Sequence, residues 1–245
     1  MLLLILLFST LGSIGALLIS ALLLLFPERV RYRFVPNLVS YATGTLLGAA
    51  FLGMIPAGLK QAPVFLFSVS LLGGIILFFL MEKLVLWRHS HEDQVSSDTA
   101  VVPLILVGDA FHNLVDGVVI ASAFLTSIPL GIGVSLAVIA HEIPQEVGDF
   151  AILLENGVSR GKALLLNGLA SVTTLPGALL AYLWLDKTST LVPYVLALSS
   201  ASFIYIALSD LTPGLRKDVG GMATLRQLLL LIAGIGTIAI FHHGQ

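Results

Sequence analysis

The chain has 245 residues, of which 57% are hydrophobic and 11% charged, with a mean hydropathy of +1.02. That is more apolar surface than one soluble core can hide, so the composition indicates a membrane protein. A net charge of -2 without a basic block gives nucleic acid nothing to grip, and zero cysteines exclude disulfides and thiolate metal ligands.

Residues 2–26 form an apolar run interrupted only by Ser9, Thr10, Ser13 and Ser20. No basic segment precedes it and it exceeds the apolar stretch of a signal peptide, which predicts a retained first span. After PERVRYRFVPN, a second span is expected over about 38–59 and a third over about 64–87, followed by the polar segment RHSHEDQVSSD. The fourth span covers about 101–125, a tight turn follows, and the fifth covers about 129–154, closed by Asn156-Gly157. Spans six, seven and eight are expected over about 163–185, 191–213 and 225–241. The predicted fold class is an all-α membrane protein of eight transmembrane helices in one domain, residues 1–245.

Ten of the twelve basic residues fall on alternate connections and their flanks: Arg29, Arg31, Arg33, Lys83, Arg88, Arg160, Lys162, Arg216, Lys217 and Arg226. By the positive-inside bias those connections face the cytoplasm and both termini face away from it. IPAGLK at the end of span two and LTPGLRK at the end of span seven echo one another on oppositely directed spans, which points to an inverted repeat.

Spans four and five carry GDAFHNLVDG and HEIPQEVGDF. At about 100° per residue, Asp109, His112, Asn113 and Asp116 share an arc of roughly 100°, and His141, Glu142, Gln145, Glu146 and Asp149 one of roughly 140°. Carboxylates at such depth cost roughly 2.5 to 3.5 kcal/mol each on insertion scales, and neither span holds a lysine or arginine to offset them. A cation held between the two helices would. His112 with Asp116, and His141 with Gln145, are i, i+4 pairs, Asn113 and Glu142 lie beside them, and Pro144 is expected to bend the fifth helix. Imidazole with carboxylate and amide oxygens suits Zn2+, Fe2+, Mn2+, Co2+ or Cd2+ better than Cu+. Asp109, Glu146 and Asp149, Asp210 near the end of span seven, and His89 and His91 after span three are further candidates for binding or for the ion's path. Against a zinc protease reading of His141-Glu142, Gln145 stands where a second histidine is needed and Pro144 disrupts the helix. A proton carrier built on the carboxylates without metal is the other alternative.

HNLVDG followed by HEIPQEVGD resembles the ZIP (Zrt-, Irt-like protein) metal transporters, in particular the branch whose fifth span reads HExPHExGD. The resemblance implies a divalent-metal carrier working by alternating access, with zinc as substrate moved toward the cytoplasm, no organic cofactor and a homodimer in the bilayer. It implies one subsite of His112, Asp116, His141 and Gln145 and an adjoining one of Asn113, Asp116 and Glu142. Gln145 departs from the branch, which has histidine there, and span six offers Asn167, Ser171 and Thr174 where some relatives place a glutamate. Compact connections lean toward a prokaryotic inner membrane.

Overall fold

A computed structural model describes residues 1–92, 101–216 and 220–241, without the side chains of residues 32, 85–92, 101 and 104. Among the described residues eight helices are long and apolar enough to cross a membrane: α1 (Leu2–Leu23), α2 (Glu28–Leu59), α3 (Val64–Glu92), α4 (Val101–Thr126), α5 (Ile128–Glu155), α6 (Arg160–Leu185), α7 (Ser189–Leu215) and α8 (Gly221–Ile240). No strand occurs among the described residues. Two helices overrun the expected spans. The arginines after Pro27 continue α2 outward, and α3 runs beyond Trp87 because no glycine or proline stops it. His89 and His91 lie in that overrun, and their side chains are outside the described residues.

Burial is inverted relative to a water-soluble protein. Leu3, Phe65 and Trp184 are 84%, 75% and 65% exposed, while Asp116, Glu142 and Asn167 are at most 1% exposed. Only a solvent of hydrocarbon makes that distribution favourable. Many hydroxyls inside the helices bond back to the preceding turn, as Thr10 does to the Leu6 carbonyl (2.7 Å) and Ser135 to Gly131 (2.7 Å), which satisfies their polarity.

α4 and α5 form the centre, with α1 and α6 on one flank and α2, α3, α7 and α8 completing the bundle. Ser127 caps α5 by accepting from Leu130 N–H (3.3 Å), with Pro129 in the first turn. Its other end closes at Gly157 (φ +78°), where Val158 N–H reaches the Leu153 carbonyl and Gly157 N–H the Leu154 carbonyl, each at 3.0 Å. α5 stays continuous through Pro144 rather than breaking there. α6 does break, at Val172–Thr173, because Pro176 cannot donate back to the Val172 carbonyl.

The helix pairing has the form an inverted repeat produces. α2 packs on α8 and α3 on α7; α1 packs on α5 and α4 on α6. Exchanging first with sixth, second with seventh, third with eighth and fourth with fifth maps each pair onto another. α2 and α7 each hold a six-residue π segment, Ala49–Met54 and Ile206–Leu211, ending two residues before a proline, Pro56 and Pro213. These segments lead directly into the two echoing sequences.

Candidate metal centre

On α4, His112 and Asp116 stand one turn apart, and on α5 His141 and Glu142 face them. His112 Nε2 lies 3.2 Å from Glu142 Oε1 and 3.8 Å from Asp116 Oδ2; His141 Nε2 lies 3.2 Å from Asp116 Oδ2 and 3.6 Å from Glu142 Oε1. The two Nε2 atoms are 3.3 Å apart, and one atom from each of the four side chains falls within 4.8 Å of all the others. A tetrahedral ion with bonds of about 2.1 Å would set its ligand atoms about 3.4 Å apart, so the group has the dimensions of a zinc-type coordination shell.

The surroundings fix which atoms face inward. His141 Nδ1 meets the Ala137 carbonyl at 2.9 Å. A carbonyl can only accept, so Nδ1 carries the proton and the Nε2 lone pair points at the group. The ring is held edge-on against Phe203 of α7 and, at 88°, against His112. Neither oxygen of Asp116 nor of Glu142 has a hydrogen-bond partner, although both residues are buried. Buried carboxylate oxygens left unpaired are costly, and a cation among them removes the cost. The side chains of Asp116, His141 and Glu142 are 1% exposed and that of His112 is 21% exposed, so the group is open on the His112 side.

Other expected residues are placed differently. Asn113 is turned away from the four: its amide nitrogen donates to Asp109 Oδ1 (2.8 Å) and its Oδ1 accepts from Thr174 (2.9 Å). Gln145 is half-buried on the next turn of α5. Asp109, Glu146 and Asp149 lie a turn further toward the 93–100 and 156–159 connections, where Ser171 donates to Glu146. Asp210 lines a cavity of about 560 Å3 that runs between α3, α4 and α7 from His112 to Glu82. Glu82 and Tyr205, which meet in a hydrogen bond donated by the tyrosine, were not singled out from the sequence. A lone carboxylate in LMEKL, near the end of an otherwise apolar span, was the available signal for Glu82.

An all-α membrane protein with imidazole and carboxylate ligands gathered in its centre is, as a class, built to handle a metal ion within the bilayer. Residues 88–242 match the family model described as "ZIP Zinc transporter", and the chain belongs to that family, whose members are transporters rather than enzymes. It is 33% identical over 227 residues to zinc transporter ZIP13 of Pongo abelii, covering 84% of this chain and 66% of that protein. An uncharacterized zinc transporter of Schizosaccharomyces pombe is 39% identical over 165 residues, or 60% of this chain and 36% of its own. Human zinc transporter ZIP4 is 40% identical over 125 residues, or 51% and 19%. The chain thus matches at most about two thirds of these relatives' lengths, and all three are eukaryotic.

Proposed function

We propose that the chain carries a divalent cation, zinc foremost, across a membrane by alternating access, with His112, Asp116, His141 and Glu142 as the group that takes the ion. The convergence of two imidazoles with two buried carboxylates whose oxygens are unpaired, where no lysine or arginine offsets the charge, carries this reading. Zinc is the ion named for the relatives, and the imidazole and carboxylate donors suit it. Asn113 would join only after rotating toward the group, and Gln145, one turn along α5 from His141, is a further candidate.

The cavity supports a direction. Its lining lies in the halves of α3, α4 and α7 nearest the 93–100 and 216–220 connections, the end rich in basic residues. Toward the other end Ile120, Phe124, Leu130 and Val134 are buried, and the Phe8 ring meets Phe124 at a tilt, centroids 5.4 Å apart. The arrangement suits a carrier open to the cytoplasm and sealed outward, and Glu82 and Asp210 would draw the released ion along the cavity. Termini outside, a prokaryotic inner membrane and pairing of two chains belong to the same reading.

In liposomes loaded with a zinc-sensitive dye, His112→Ala or Asp116→Ala is expected to abolish uptake while the protein remains folded and inserted. Uptake retained in both variants would overturn the assignment, and current in metal-free buffer with chelator would favour a proton carrier.

A further inference from the structure

We infer that the groove between α2 and α8, at the basic end of the bundle, binds one anionic glycerophospholipid, with its phosphate on Arg226 and an acyl chain along α8. The two helices run side by side in the same direction, with Gly44 against the Leu231 carbonyl and Gly48 against Ile235. Those glycines let the backbones touch. Asn37 lies seven residues before Gly44, and Arg33 one turn before Asn37, so the same face of α2 carries larger side chains toward the basic end. There a cavity of about 390 Å3 opens, lined by Asn37 and by Met222, Leu225, Arg226, Leu229 and Leu230 of α8. Its volume is in the range of small-molecule sites, roughly 300 to 1,000 Å3.

The lining has the two-part chemistry of a lipid. Met222, Leu225 and Leu229 are 80%, 51% and 58% exposed and recur at steps of three and four residues, so they make an apolar strip facing the bilayer. Arg226 stands within that strip, in the second turn of α8. From there its stem lies along apolar surface while its planar fork of donors reaches headgroup level, where it matches a phosphate. Asn37 contributes a buried Oδ1 that has no hydrogen-bond partner. A glycerol headgroup supplies the hydroxyl donor it lacks. The first turn of α8 has no side-chain cap, and its N–H groups add to the positive potential of Arg33 and Arg226. Glu28, nine residues before Asn37, falls on the opposite face of α2. A second copy of the chain on a twofold axis here would gather the same arginines on both sides, whereas an anionic lipid neutralises them. In the orientation proposed above this is the cytoplasmic leaflet, whose anionic lipids fill basic pockets between helices. The site itself depends neither on that orientation nor on the metal centre.

Native mass spectrometry of the full chain released from detergent micelles, with phosphatidylglycerol or phosphatidylcholine of identical acyl chains added in turn, tests it alongside thermal melting in the same micelles. Wild type is expected to retain one phosphatidylglycerol, to melt higher with it, and to hold phosphatidylcholine about fivefold more weakly or worse. Arg226→Gln should weaken phosphatidylglycerol by about fivefold, and Arg226→Lys by less. Leu229→Trp, which fills the groove from its lipid-facing side and leaves every charge in place, should displace the lipid as well. Arg160→Gln, at the same end of the bundle but on α6, should leave binding unchanged. Equal retention of the two lipids, or phosphatidylglycerol binding unchanged in both Arg226→Gln and Leu229→Trp, would overturn the site. So would an equal loss in Arg160→Gln, the mark of diffuse attraction to the basic end, or an equal melting rise with inorganic phosphate alone, which leaves the groove unused. A dimer that retains no lipid and dissociates in Leu229→Trp would make the groove an interface between copies instead.

Discussion

His141 is held at three points. Its Nδ1 is tied to Ala137, its ring leans on Phe203, and its Nε2 faces Asp116 and Glu142. Such a residue needs no reorganisation to bind a cation, but it must be neutral to do so, as must His112. A protonated ring has no lone pair to give, so protons compete with the ion as the pH falls. Affinity for zinc is expected to fall as pH drops, approaching about a hundredfold per pH unit once both rings are protonated, because two protons are displaced per ion. Isothermal titration from pH 8 to 5 checks this, and a pH-independent affinity would remove the imidazoles from the site. The sequence made these residues legible, since 100° steps put His112 beside Asp116 and His141 beside Glu142. It could not show that Asn113 turns away. Asp109, four residues earlier, and Thr174, from another helix, satisfy its amide, and that choice depends on the packing of α6.

Helices 4 and 6 cross at a pair of glycines. A Cβ on Gly117 would overlap the Thr174 carbonyl, and one on Gly177 would overlap the Leu114 carbonyl. Backbone cannot yield as a side-chain tip can, so this contact sets how deeply Thr174 and Ser171 reach toward Asn113 and Glu146. Gly177→Val is expected to cost about 3 kcal/mol or more and to lower the detergent melting temperature. Gly73→Ala, on a part of α3 where nothing lies within 4 Å of an added Cβ, should leave it unchanged. Equal melting of the two variants would show that the crossing is not close. Gly44 and Gly234 make the equivalent contact between α2 and α8, with the Leu231 and Tyr41 carbonyls. Gly44 could be read as a helix contact from its small size alone, but its partner could not, because α2 and α8 are far apart in sequence. The π segments were equally hidden. What the sequence carried was their echo, a proline closing each.

Across the whole molecule, composition alone defines the lipid-facing exterior and the eight crossings, since hydrocarbon accepts no other arrangement of so apolar a chain. The one-sided cavity was not legible. It depends on α3, α4 and α7 leaving a space between them from His112 to Glu82 while Phe8, Phe124 and Leu130 close the opposite end. That asymmetry bears on how the ion moves, and whether His112, Asp116, His141 and Glu142 hold it bears on everything else. X-ray absorption at the zinc edge, on the purified chain loaded with a single equivalent, is the direct measurement. The account predicts a shell of nitrogen and oxygen at about 2.0 to 2.2 Å with the scattering of two imidazoles, one of them lost in His112→Ala and the other in His141→Ala. A shell without imidazole, or one unchanged in both variants, would contradict it.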